Sequence, residues 1–139
     1  MKVKKVKVVF DTNVWISFII GKRLSFLNEY ISNEEITIIY CNQLLDELRE
    51  VTARPKLKKY FPKNEVEDMI ALIEAIGERF EFVSFHQESR DPKDNFLLDL
   101  IDISKSNYLV TGDKDLIVLN PFKSTKILSP INFEKEMMQ

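Results

Sequence analysis

Four acidic side chains stand in places that acids usually avoid, each at an edge between an apolar element and a turn. Asp11 follows the run Val6–Phe10, Glu47 interrupts an apolar helical pattern, Asp94 opens another, and Asp113 follows Tyr108–Val110. Carboxylates gathered without cations repel one another. Two unit charges about 4 Å apart cost roughly 4 kcal/mol at an effective dielectric of about 20. A bound divalent cation converts that repulsion into coordination, and an all-oxygen donor set suits a hard ion better than zinc. Metal-assisted chemistry is what these residue types in these places would do.

Each acid also has a plainer reading. Asp11, in Phe-Asp-Thr-Asn (10–13), can cap the helix that follows, as can Asn13; in the metal reading Asn13 and Ser17 support the ligand instead. Glu47 borders the buried arc drawn by Leu44, Leu45, Leu48 and Val51, where an acid can simply reach water. Asp94 sits at the third helical position after a cap at Asp91, where the helix dipole favours a negative charge. Asp99 and Asp102 fall on the more exposed side of that helix. Asp113 and Asp115 lie in Leu-Val-Thr-Gly-Asp-Lys-Asp-Leu (109–116), where Asp113 can cap a short helix and Gly112 allows close backbone approach.

The elements that must position these groups follow from the apolar pattern. Val6–Phe10 reads as a buried strand and Ile36–Cys41 as a second. Helices are expected over 13–20 and 24–31, from an Asn42 cap to about Val51, from Glu65 to about Gly77, and from Asp91 to about Ser104. Further strands are expected at Phe80–Phe85, Tyr108–Thr111 and Lys126–Leu128, and a last helix at Pro130–Met138. Strands alternating with helices specify a three-layer α/β/α fold around a central, mostly parallel sheet of about five strands. Ligands of such sheets bind beyond the carboxyl ends of the strands, where Asp11 and Asp113 stand.

The chain has 139 residues, 45% of them hydrophobic, with no Gly/Ser-rich linker, so a single domain over 1–139 is expected. Twenty basic residues against 22 acidic give a net charge of −2, which excludes a surface coated in positive charge. The lone Cys41 has no intramolecular disulfide partner and reads as a buried thiol. No run reaches the roughly 18 apolar residues of a membrane span, and a reducing cytoplasm is the expected location.

Together, Asp11-Thr-Asn13, Glu47, Asp-Pro-Lys-Asp94-Asn-Phe-Leu and Val-Thr-Gly-Asp113-Lys-Asp115-Leu resemble the PIN (PilT N-terminal) domain family end to end. The late Leu-Ser-Pro-Ile-Asn-Phe (128–133) belongs to the same resemblance, which is nearest to the toxins of toxin–antitoxin pairs related to VapC-type ribonucleases. The resemblance implies a ribonuclease dependent on Mg²⁺ or Mn²⁺, with Asp11, Glu47, Asp94 and Asp113 as catalytic metal ligands and Asp115 contributing. Thr111 and Asn13 would hold the carboxylates in place. RNA as substrate and a small antitoxin protein as partner are implied in the same way. The helices over 24–31 and 65–77 offer a surface for a homodimer.

Arg54, Lys56, Lys58, Lys59 and Lys63, interleaved with Tyr60 and Phe61, form the most basic stretch, which could touch RNA phosphates or be a solvated loop. Two other classes compete with the nuclease. One is a receiver-like phosphorylation switch, which needs an Asp after the third strand where Phe80–Phe85 runs into His-Gln-Glu. The other is a non-catalytic binding module that keeps the fold and uses its acids only as caps.

Overall fold

The computed structural model describes residues 5–20, 29–83 and 95–138. Strand β1 (Val6–Phe10) has the expected bounds. The β-branched and aromatic residues Val8, Val9 and Phe10 are wholly buried, as a strand covered on both faces requires. Helix α1 (Thr12–Ile20) follows directly, and a helical stretch at 29–32 precedes β2 (Ile36–Tyr40). Then come α2 (Asn42–Thr52), α3 (Lys63–Ile76), β3 (Glu78–Arg79) and α4 (Asn95–Ser104). The chain ends with β4 (Tyr108–Val110), α5 (Lys114–Ile117), β5 (Lys126–Leu128) and α6 (Pro130–Met137).

The five strands form one parallel sheet in the order β3-β2-β1-β4-β5. Val8 pairs with Ile38 on one side and Tyr108 on the other, which makes β1 the centre. From β1 the connections step outward through β2 to β3, then return across the sheet to β4 and β5. With right-handed crossovers the two directions put helices on opposite faces, giving three layers. The reversal lies between β1 and β4, so the crevice of a doubly wound sheet opens at their carboxyl ends. No helix among the described residues is long and apolar enough to cross a membrane.

Packing closes on Phe10. Its ring meets Trp15 and Phe18 of α1 and Phe133 of α6 edge-on, with centroids 5.3, 5.4 and 5.7 Å away, so Trp15 is a core residue. At the other end of β1, the Lys7 N–H donates to Asn107 Oδ1 (2.8 Å) and the Asn107 N–H donates to the Lys7 carbonyl (2.9 Å). This side chain fixes the start of β4 against β1.

Three expected elements shift, each for a local reason. Asn42 does not cap α2. Its helix begins one residue after β2, so Cys41 takes the cap position with extended backbone and no side-chain bond. The strand expected at Phe80–Phe85 is instead the two exposed residues Glu78–Arg79, an edge strand defined by pairing with Ile39 and Tyr40 rather than by apolar content. Residues 80–83 are not strand, and 84–85 lie outside the described residues. Asp99 and Asp102 are not on an exposed side. Asp99 is fully buried, and the Asp102 side chain is 11% exposed between Lys123 and Lys105. Helix α4 buries Phe96, Leu97, Leu98, Leu100 and Ile101, and a helix apolar nearly all round has little free face, here marked by Ile103.

Gly77 ends α3 beneath Tyr40, where a Cβ would lie 2.7 Å from the Ile73 carbonyl oxygen and 2.9 Å from the Tyr40 ring. Around Gly112 a Cβ would meet nothing within 4 Å, so close approach of protein backbone is not why glycine stands there. Gly77→Ala should therefore cost about 1–3 kcal/mol in denaturant unfolding, whereas Gly112→Ala should stay within about 0.5 kcal/mol.

Helix α6 is fastened to the sheet through Glu136, which accepts from Lys126 Nζ (3.2 Å) and from the Tyr108 hydroxyl (3.1 Å). Lys126 first, then Tyr108, hold its carboxyl below the ordinary value of 4.5. A depressed folded pKa contributes stability above the unfolded value, and that stability is lost as pH falls through the folded value. Glu136→Gln should flatten the acid limb of stability below about pH 4.5, read from urea midpoints across pH, and leave the neutral region little changed.

Candidate active site

Asp11 leaves β1 at its carboxyl end, its N–H still donating to the Val110 carbonyl of β4 (3.0 Å). Its own carbonyl accepts from the Val14 and Trp15 N–H groups as α1 begins. The residue is 6% exposed. Thr111, wholly buried at the end of β4, donates its hydroxyl to Asp11 Oδ2 at 2.7 Å. The same hydroxyl oxygen accepts the Asp113 N–H at 3.0 Å, and Asp113 Oδ1 accepts the Asp115 N–H at 2.9 Å. A continuous chain of polar contacts thus runs from the end of β1 to the first turn of α5.

The electrostatics oppose this arrangement. Burial pushes the Asp11 carboxyl above the ordinary value of 3.8. The Thr111 hydroxyl and the backbone N–H groups of Asn13 and Thr12 draw it back, and the negative charge of Asp113 raises it again. A carboxylate held out of water beside another carboxylate is short of positive charge.

The other expected site residues differ in their surroundings. Asp115 is half-buried in the first turn of α5. Asn13 supports Asp11 through its backbone, while Ser17 donates its hydroxyl to the Asn13 carbonyl (2.9 Å) rather than to an acid. Glu47 is half-buried on α2, where its charge helps raise the Cys41 thiol, itself pushed up mainly by burial. It lines a cavity of about 590 Å³ with Gln43, Asp46, Glu50 and Arg54. Asp94, with Asp91 and His86, lies outside the described residues.

The basic stretch lies elsewhere. Helix α2 starts at the carboxyl end of β2, and its 11 residues carry the chain about 16 Å along the helix axis before Arg54. Arg54 pairs with Glu50 (3.3 Å), and Lys56, Lys58, Lys59 and Lys63 are exposed beyond it. Asp99 is the buried acid that the periodicity of α4 hid; the unbroken apolar content of that helix was the signal that could have revealed it.

Among the described residues no three acidic, His or Cys side chains are gathered closely enough to hold a metal. Two carboxylates supported by a hydroxyl nevertheless fit a small hard cation, because Mg²⁺ keeps much of its water and needs only one or two protein carboxylates.

A parallel sheet with a carboxylate beyond the end of each strand flanking its topological switch defines a doubly wound α/β domain with an acidic crevice. A PIN domain profile matches residues 7–115, and the chain belongs to the PIN domain family. It is 32% identical to the uncharacterized protein MJ1680 of Methanocaldococcus jannaschii, over 83% of this chain and 76% of that protein. Its fold is similar to that of a chain in the crystal structure of VapBC2 from Rickettsia felis bound to a DNA fragment from their promoter. There the TM-score is 0.58 at 13% identity, covering 87% of this chain and 96% of that one.

Thr111→Val keeps the shape and removes the hydroxyl that serves Asp11 and Asp113 together. It should cost about 1–3 kcal/mol in denaturant unfolding, and Thr111→Ser should recover most of that loss.

Proposed function

We propose that the protein is a metal-dependent endoribonuclease that hydrolyses RNA phosphodiester bonds and serves as the toxin of a toxin–antitoxin pair. The observation that carries the reading is the buried Asp11 carboxylate joined through Thr111 to Asp113 at the switch point of the sheet. Family membership supports it, since PIN domains are typically nucleases. The likeness to a chain of VapBC2 supports an antitoxin partner.

In this reading Asp11 and Asp113 hold Mg²⁺ or Mn²⁺, joined by Asp94 and aided by Asp115. The ion supplies Lewis acidity and a more acidic bound water. Thr111 fixes the direction of the Asp11 carboxylate, so the ligand oxygens are set before the substrate arrives. The open space over Gly112 leaves room for a phosphate beside the carboxylates. Glu47, one helix away, would orient the water that attacks phosphorus. A homodimer through α3, where Leu72 and Ile76 are exposed, belongs to the same reading.

A second reading has its own support, because Asp11 and Asp113 each also accept backbone N–H groups at a helix start, as simple caps do. A non-catalytic module would need nothing more. End-labelled structured and unstructured RNAs incubated with the purified chain and Mn²⁺ or Mg²⁺ separate the two. Cleavage should require the ion, stop on chelation, and fall about a hundredfold or more in Asp11→Asn. Saturable Mn²⁺ binding, followed by calorimetry, should be lost in Asp94→Ala. Undiminished cleavage by Asp11→Asn would refute the nuclease assignment.

A further inference from the structure

Helices α2 and α3 run antiparallel, joined by Arg49 Nε to Glu67 at 3.0 Å, and a groove of about 670 Å³ opens between them at the end far from Asp11 and Asp113. Its floor is apolar. Phe61 and Val66 are buried beneath it, and Ala53 lies at its edge. Thr52 turns its hydroxyl to the Leu48 carbonyl (2.7 Å), so its methyl is what remains for the groove. The rim is basic. Arg49 is already occupied by Glu67 and Asp46, but Lys58, Lys59 and Lys63 make no ion pair among the described residues. Lys59 lies over the exposed Tyr60 ring, 5.0 Å from its centroid. In a chain of net charge −2, three ammonium groups around one apolar trough, none paired with a described acid, are a local reversal of sign.

We propose that this groove is a docking site for an acidic amphipathic peptide segment of a partner protein. Leu, Ile or Phe side chains would enter the trough, and flanking Asp or Glu would meet the three lysines. The volume suits a few apolar side chains, and anchors in a trough with charges at the rim are the usual anatomy of peptide recognition. A nucleic acid strand fits less well. Bases are held by stacking faces and polar edges, whereas within the groove the Phe61 ring is 4% exposed and the Thr52 hydroxyl is already engaged, and the exposed Tyr60 ring lies outside its lining. The groove also lies at the opposite end of α2 from Asp11 and Asp113, so the proposal stands apart from the nuclease reading.

Random dodecapeptides displayed on phage, selected against the purified full chain, test it. Selected peptides are synthesised with a fluorescent label and titrated by anisotropy, beside a labelled uridine dodecamer in chelator. The selected sequences should concentrate Asp and Glu around Leu, Ile or Phe. Their affinity should fall about tenfold in the Lys58→Glu/Lys63→Glu double variant, and as much in Ala53→Trp, which fills the trough without altering charge. A selection that yields no binders, binders without acidic enrichment, or binders indifferent to both variants would overturn the proposal. So would uridine binding that falls on charge reversal and survives Ala53→Trp, which would assign the groove to RNA.

Discussion

One hydroxyl group relates the carboxylates at the end of the sheet to each other. Thr111 donates to the Asp11 carboxylate and accepts from the Asp113 backbone, joining residues 100 positions apart in the chain. Without that hydroxyl the two strand ends would still pair through their backbones, but the carboxylates would have no common reference. A neutral donor cannot cancel a charge. It can fix a carboxylate's direction while leaving its deficit of positive potential in place. That is why Asp11 stays above its ordinary pKa despite three hydrogen bonds.

The sheet makes this arrangement possible. A carboxylate at the end of an interior strand is costly to bury anywhere except at a switch point, where the crossovers part and leave space. Beside it, Gly112 keeps an open approach while the sheet below is closed by Phe10, Phe133 and their aromatic neighbours. Rigid packing underneath and open space above place the carboxylates on a firm base facing a reachable surface.

How much of this was legible in the sequence depended on what defined each element. Val6–Phe10 and Lys126–Leu128 appear with their expected limits, the first because a strand covered on both faces is rich in β-branched and aromatic residues and the second because Ile127 is buried. The edge strand at Glu78–Arg79 was illegible, since hydrogen bonding to Ile39 and Tyr40 creates it and no side-chain pattern marks it. Asp11 and Asp113 could be placed at strand ends from the residues themselves, whereas support by Thr111 was implied by the family resemblance alone, because the bond depends on β1 and β4 being neighbours. Asp99 was misplaced for the opposite reason. A periodicity argument presumes that a helix has a wet side, and α4 has almost none.

The pairing of β1 with β4 also orders events in time. A chain made from its amino terminus has Asp11 and Glu47 long before Thr111 and Asp113 exist. Until β4 arrives, one side of β1 has no partner strand, and the wait spans a loop of about a hundred residues whose closure carries an entropic cost. The two carboxylates meet only when that closure is made. The centre is therefore absent from every partial product of synthesis that stops short of β4, and it is born together with the completed sheet.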